Sequence, residues 1–225
     1  MYHLGEGVLS HSPETSDLGV AVSGNCTWKS HIEQMCAKAN RALGLVKRLC
    51  GRDIRDVQTR KLFYTALVRP LLEYSSSVWS PYSEKHRTLI ENIQKRAKKF
   101  ILNYPPREVG YINRLDQLNL RPLDFRRQIH DLVLLFKYKT GTVTSNFGRF
   151  IRIATWHYRT RNFHQVNFDL LSRHNQEYYC NSYFPRTVKL WNSLPNILKS
   201  SQDFLWFRVH LNDHFRGLLQ TYSPP

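Results

Sequence analysis

The chain has 225 residues, of which 41% are hydrophobic and 13% aromatic, a composition that favours a folded protein over a disordered one. The net charge of +16 favours a polyanionic partner, because each phosphate that is neutralised releases condensed counterions. Nucleic acid is the first candidate and an anionic membrane surface the second. The remaining interpretation is a ribosome-like or merely basic soluble protein.

The cysteines and the N-terminus bear on the type of protein. Cys26, Cys36, Cys50 and Cys180 lie far apart without a C-x-x-C pair, which argues against a structural zinc site. The first residues have no apolar core of a secretion signal, and no run approaches the roughly 20 apolar residues of a membrane span. We therefore expect an intracellular protein, nuclear or cytoplasmic, with reduced thiols, no secretion signal and no membrane partner.

Residues 1–25 predict a β-hairpin. Two extended runs, 2–9 and 18–22, flank a polar turn at 10–16. This short hairpin is the only β-structure that the sequence indicates before a long series of helical patterns.

The first helical pattern runs from Trp28 to about Leu49, with Thr27 as its N-cap and Gly51 as its end. Asp53 is then a candidate cap for a second helix. Pro70 is expected to kink or shorten that helix, because proline lacks the amide donor and clashes with the preceding turn.

A strongly basic helix follows within residues 64–106. Its apolar stripe has the spacing of one buried helical face and comprises Leu89, Ile93, Ala97, Phe100 and Ile101. Its other faces carry Lys85, His86, Arg87, Lys95, Arg96, Lys98 and Lys99. One face is thus expected to pack on a core and the other to contact anions, although a solvated basic face is the plainer interpretation.

The last patterns are a break at Pro105-Pro106, a helix from Pro122 to Gly141, and a helix from about Asp203 to Leu219. Between the last two helices the periodicity fades, and a boundary is expected near Thr142. The sequence therefore predicts a mainly α fold: a helical bundle with a short N-terminal β-hairpin and a mixed, partly irregular C-terminal region.

Several phrases along the chain resemble one family. They are Asp17-Leu18-Gly19-Val20, Trp28 with His31-Ile32 and Lys38-Ala39, Leu67-Val68-Arg69-Pro70, Leu72-Glu73-Tyr74, Val78-Trp79-Ser80-Pro81, Ile90-Glu91 with Gln94-Lys95-Arg96, Tyr111, Arg114-Leu115, Leu118, Leu120, Leu123, Arg126-Arg127, Phe184-Pro185-Arg186-Thr187 and Trp191-Asn192-Ser193-Leu194-Pro195. In this order they resemble the C-terminal portion of the reverse transcriptase of jockey-like non-LTR (LINE-type) retrotransposons.

The resemblance implies three parts. Residues 1–25 would be a remnant hairpin from the edge of the polymerase palm, 26–141 a thumb-like helical bundle that grips the template–primer duplex, and 142–225 a C-terminal region of unknown role. The family's catalytic aspartates lie upstream of this chain, and no Asp-Asp pair occurs in it. Two-metal phosphoryl transfer needs closely placed carboxylates. We therefore expect a fragment of an RNA-directed DNA polymerase that is not an enzyme on its own, with no catalytic residue, no metal and no cofactor.

The residues expected to contact nucleic acid are basic and belong to three segments. Phosphate contacts are assigned to Lys95, Arg96, Lys98, Lys99, Arg126 and Arg127. Within the aromatic and basic run 156–164, Arg159 and Arg161 would contact phosphates while aromatic rings stack on unpaired bases; a core strand with polar alternate residues is the other interpretation. Trp79 and Trp191 are expected to be packing anchors.

Two hypotheses follow for function. The first is non-specific binding of RNA or an RNA–DNA duplex through basic helices. The alternative is a vestigial or host-recruited module that binds a protein partner and no nucleic acid. A polymerase remains a third class only if another chain supplies the palm.

Overall fold

A computed structural model describes residues 2–4, 7–9, 12–25, 27–103, 110–154, 166–172 and 174–222. The helices are α1 (Lys29–Cys50), α2 (Val57–Phe63), α3 (Arg69–Glu73), α4 (Ser76–Trp79), α5 (Glu84–Leu102), α6 (Tyr111–Gln117), α7 (Leu123–Lys139), α8 (Glu177–Cys180), α9 (Tyr183–Asn192), α10 (Asn196–Ser200) and α11 (Phe204–Gly217). The strands are β1 (Tyr2–Leu4), β2 (Gly7–Leu9), β3 (Glu14–Asp17), β4 (Val20–Ser23), β5 (Ile151–Ile153) and β6 (Phe168–Leu170). The expected mainly α fold is confirmed.

The N-terminal hairpin pairs differently from the expectation. β1 pairs with β2, and β3 pairs with β4, each antiparallel. The segment expected to be the turn thus contains strand β3. The actual turn is Leu18-Gly19, where φ is 45° and 81°, and positive φ at both central residues is what a tight two-residue hairpin requires.

Helix α1 occupies nearly the expected span. Gly51 ends it with a φ of 49°. Thr27 is not its cap, however, because the N-cap position is Trp28 and no side-chain hydrogen bond caps the helix. At α2 the cap is Asp56 rather than Asp53: its carboxylate accepts from the Thr59 amide at 2.7 Å.

Pro70 does not break its helix. A π-helical turn, Tyr64–Val68, joins α2 to α3 and ends two residues before the proline. The wider turn accommodates the missing amide donor, so the chain stays helical as far as Glu73. The end of α3 is held by Trp79, whose indole donates to Tyr74 O at 2.6 Å.

Two clusters of buried side chains form the interior. The first is built by β4, α1 and the helices up to α6, together with Leu123 at the start of α7. The second is built by the rest of α7, the β5–β6 pair and helices α9 to α11. Trp79 lies in the first cluster and Trp191 in the second, both 0% exposed, which confirms that they are packing anchors.

Candidate nucleic-acid interface

Helix α5 lies against α1, α2 and α7, and its buried face is shifted from the expected stripe. Ile90, Ile93, Ala97 and Ile101 are each 0% exposed, whereas Leu89 is 38% exposed. Leu89 and Ile90 are adjacent in sequence and therefore 100° apart around the helix, so only one of them faces the core. The buried face also includes polar side chains at its edge, and these change the expected site.

Lys98 was expected to face anions and is instead buried, with 1% exposure. Its Nζ donates to Tyr111 O at 3.2 Å and lies 3.1 Å from the centre of the Tyr111 ring. Burial lowers the pKa of Lys98 to about 7, although the Glu91 carboxylate nearby raises it in part. The expectation that Lys98 contacts phosphate is therefore corrected: α6 covers the side chain.

Arg126 and Arg127 on α7 are both paired with carboxylates of the protein. Arg127 is 1% exposed and donates through Nη2 to Asp124 Oδ1 at 3.1 Å. Arg126 makes a two-bond ion pair with Glu73 on α3, one bond being Nη2 to Oε2 at 2.9 Å. The Arg126 charge is thus neutralised within the fold and Arg127 is almost completely buried, so neither is retained in the candidate interface.

The remaining expected residues of α5 lie on its outer side. Arg96 and Lys99 are exposed, and Lys95 is half-buried with Nζ 5.4 Å from the centre of the Tyr111 ring. Residues 92–102 contain no acidic side chain. This half of α5 therefore carries basic side chains and no acidic one; the acidic residue that precedes it on the helix, Glu91, is buried.

Helix α1 adds basic side chains beside those of α5. Arg96 donates through Nη2 to Asn40 Oδ1 at 2.6 Å, and Lys47 Nζ lies 5.8 Å from the centre of the Phe100 ring. Residues 34–50 of α1 have no acidic side chain either. We call the outer basic side chains of these two adjacent helices the α1–α5 basic surface; it comprises Lys47, Arg48, Lys95, Arg96 and Lys99.

The α1 members of this surface, Lys47 and Arg48, were not among the residues expected from the sequence. The sequence did contain a signal for them, because both stand in the last turn of an amphipathic helix. In the structure both side chains are exposed. Cations in a last turn also complement the helix dipole, so the sequence alone did not separate a stabilising role from a binding one. In the structure, the Lys47 ammonium also lies near the Phe100 ring of α5.

A buried carboxylate holds this part of the bundle together. Glu91 on α5 is 2% exposed and accepts from the Tyr111 hydroxyl, from Gln94 Nε2 at 2.8 Å and from the Leu123 amide at 3.0 Å. The last bond caps the start of α7 from another helix, where negative charge is favourable. Burial and the Glu91 charge raise the pKa of Tyr111, so this hydroxyl stays protonated and donates.

Some of the expected residues lie outside this surface. Arg159, Arg161 and the run 156–164 lie outside the described residues, as do Pro105-Pro106 and Cys26.

His210 and His214 stand four residues apart on α11, a spacing that suits a metal pair. The His210 ring, however, stacks on Trp206 at 3.8 Å, and within the described parts of the chain no three His, Cys, Asp or Glu side chains are grouped to hold a metal ion.

Helices of the described chain include none that is long and apolar enough to cross a membrane. Comparison of the sequence with protein-family models, and of the protein with curated proteins and solved structures, found no match. The charge and geometry of the α1–α5 basic surface are therefore the observations that bear on function.

Proposed function

We propose that this chain is the C-terminal part of a jockey-like non-LTR retrotransposon reverse transcriptase and binds RNA or an RNA–DNA duplex without sequence preference. The observation that supports binding is the side-by-side placement of acid-free halves of α1 and α5, joined by the Arg96–Asn40 hydrogen bond. Exposed lysine and arginine on adjacent helices suit a sugar–phosphate backbone, and such contacts position a duplex without reading its bases.

The proposed contacts are Lys47, Arg48, Lys95, Arg96 and Lys99. Binding through them is electrostatic, so affinity should fall steeply with salt and be similar for unrelated sequences. No catalytic step is assigned to the chain by itself, since its resemblance covers the region after the family's catalytic aspartates.

The test compares two double variants of equal charge. In Arg96→Ala/Lys99→Ala the surface loses two exposed cations; in Arg149→Ala/Arg208→Ala two exposed cations are lost elsewhere. We expect the first variant to weaken binding to a labelled RNA–DNA hybrid and to reduce the steepness of the plot of log affinity against log salt by roughly 2. The second should retain the slope of the unmodified protein.

Equal effects of the two variants would mean that only net charge matters and would remove the assignment of this surface. Folded protein that fails to bind the hybrid at low salt would contradict the proposed function and favour the alternative, a protein-interaction module. A protein partner retained at high salt without nucleic acid would support that alternative directly.

A further inference from the structure

A cavity of about 780 Å³ lies where the two hydrophobic cores meet. We call it the seam cavity. One wall is the corner between α4 and α5, a second is α7, and the others are α9 and the segment around α8. Its volume falls within the range of about 300–1,000 Å³ that is typical of small-molecule sites, and such sites are frequent where packed units meet.

The two carboxylates that line the seam cavity are already paired. Asp131, which is buried, accepts from Arg186 Nε at 2.9 Å. Asp124 accepts from Arg127 Nη2 at 3.1 Å. Each negative charge is therefore compensated by an arginine within the fold, and neither is left to attract a cationic ligand.

Two cations of the lining are not compensated in this way. Arg87 and Lys189 both line the cavity, and neither is in an ion pair with a described residue. Arg87 uses Nε on Pro81 O at 3.3 Å, which orients the guanidinium. Lys189 is exposed. Because both carboxylates of the lining are paired with arginines, Arg87 and Lys189 leave the wall of the seam cavity positively charged. An anionic ligand suits such a wall.

The rest of the lining suits a flat ring with polar edges. Tyr82 is half-buried on the α4–α5 corner, and Tyr179 is fixed edge-on to His174 at 4.8 Å. Leu190 adds an apolar contact. The amide nitrogen of Gln128 already donates to Asp124 Oδ2 at 3.4 Å, which leaves its carbonyl oxygen as an acceptor and its second N–H as a donor. Aromatic side chains beside such amides bind nucleobases by stacking and hydrogen bonding.

The geometry points to a nucleoside monophosphate as the ligand of the seam cavity, with Arg87 and Lys189 on the phosphate and Tyr82 against the base. This site is separate from the α1–α5 basic surface, whose residues do not line the cavity. A free nucleotide and the phosphorylated end of a strand share this chemistry.

Adenosine monophosphate is the probe, and its binding to the full chain is measured by titration calorimetry. Lys189→Glu should weaken binding at least about tenfold, because it replaces a charge-assisted contact with repulsion. The exposed Lys189 side chain makes no hydrogen bond or ion pair with the residues that the structure describes, so folding should be retained. Tyr82→Leu should weaken binding by about three- to tenfold through loss of stacking, and adenosine, which has no phosphate, should bind the Lys189→Glu variant as it binds the unmodified protein.

The Arg96→Ala/Lys99→Ala variant is the matched control and should bind adenosine monophosphate normally. Displacement of the probe by a 5′-phosphorylated oligonucleotide would identify a strand end as the source of the ligand, and failure to displace it would identify the free nucleotide. The inference is overturned if the unmodified folded protein does not bind the probe, or if Lys189→Glu binds it equally well.

Discussion

Lys98 shows how one buried cation makes stability depend on pH. Burial lowers its pKa from the usual value to about 7, while the unfolded chain keeps a value near 10.4. Between these two values the unfolded state binds more protons than the folded state. The free energy of unfolding should therefore rise with pH across this interval, by at most about 1.4 kcal/mol per pH unit.

The corresponding variant is Lys98→Met, which keeps an unbranched side chain, one atom shorter, and removes its charge. We expect the variant to be more stable relative to the unmodified protein at pH 7 than at pH 9, because only the unmodified protein gains stability as Lys98 loses its proton. Urea unfolding at the two pH values measures the difference.

The control for that experiment is Lys99→Met on the exposed side of the same helix. It should change stability by a similar small amount at both pH values. An advantage of Lys98→Met that does not change with pH would show that Lys98 does not titrate in this interval.

At the scale of elements, Arg186 joins three parts of the chain. From α9 it donates to Asp131 on α7 at 2.9 Å, to Ser77 O in α4 at 2.5 Å and to Asn181 O at 3.0 Å. The hydroxyl of Tyr183 donates to Asp131 O at 3.1 Å. The Phe-Pro-Arg-Thr phrase therefore docks on the corner that contains the Val-Trp-Ser-Pro phrase, which the separate phrases did not reveal.

Replacing Arg186 alone should lower the free energy of unfolding more than replacing both Arg186 and Asp131. We expect Arg186→Met to lower the free energy of unfolding by about 3 kcal/mol, because it leaves Asp131 buried and unpaired. The double variant Asp131→Asn/Arg186→Met should lose clearly less than the single variant. Urea unfolding of the three proteins at pH 7 measures both values.

If the single and the double variant lose the same free energy of unfolding, the ion pair between Arg186 and Asp131 does not contribute to stability. The contacts of Arg186 with the two backbone carbonyls would then explain the whole loss, since these contacts are absent from both variants.

At the scale of the whole molecule, α7 belongs to both cores. Leu123 packs in the first cluster, while Leu132, Leu135 and Phe136 pack in the second against the C-terminal helices. Phe136 stacks on Phe207 of α11 with ring centres 4.1 Å apart. The domain boundary near Thr142 stays a prediction. Because α7 packs in both clusters, a fragment that ends near this boundary tests it directly.

A fragment of residues 1–141 would expose the side of α7 that the C-terminal helices cover. We expect it to aggregate or to lose cooperative unfolding, because several buried apolar side chains become exposed at once. Size-exclusion chromatography and calorimetry against the full chain measure this. A fragment with Leu132, Leu135 and Phe136 changed to Gln should aggregate less; a monomeric, cooperatively folded 1–141 would support an independent domain instead.

Much of the local structure was predictable from the sequence because its signals are local. The helical period located α1, α5, α7 and α11 to within a few residues, and Gly51 and Asp203 mark a helix end and a helix start. The pairing of β3 with β4 was missed, because a Leu-Gly turn is a weaker signal than the polar segment before it.

The sequence by itself determined a mainly helical protein of high positive charge, with Trp79 and Trp191 as anchors, because periodicity, capping and charge are properties of short segments. Only the tertiary structure decided which cations remain outside. Lys98 and Arg127 stand at the edges of apolar stripes, where neighbouring elements from distant parts of the chain determine whether a side chain is covered. The same packing brought Asn40 of α1 beside Arg96 and Lys47 beside Phe100, since two helices separated in sequence become one surface only when they fold together.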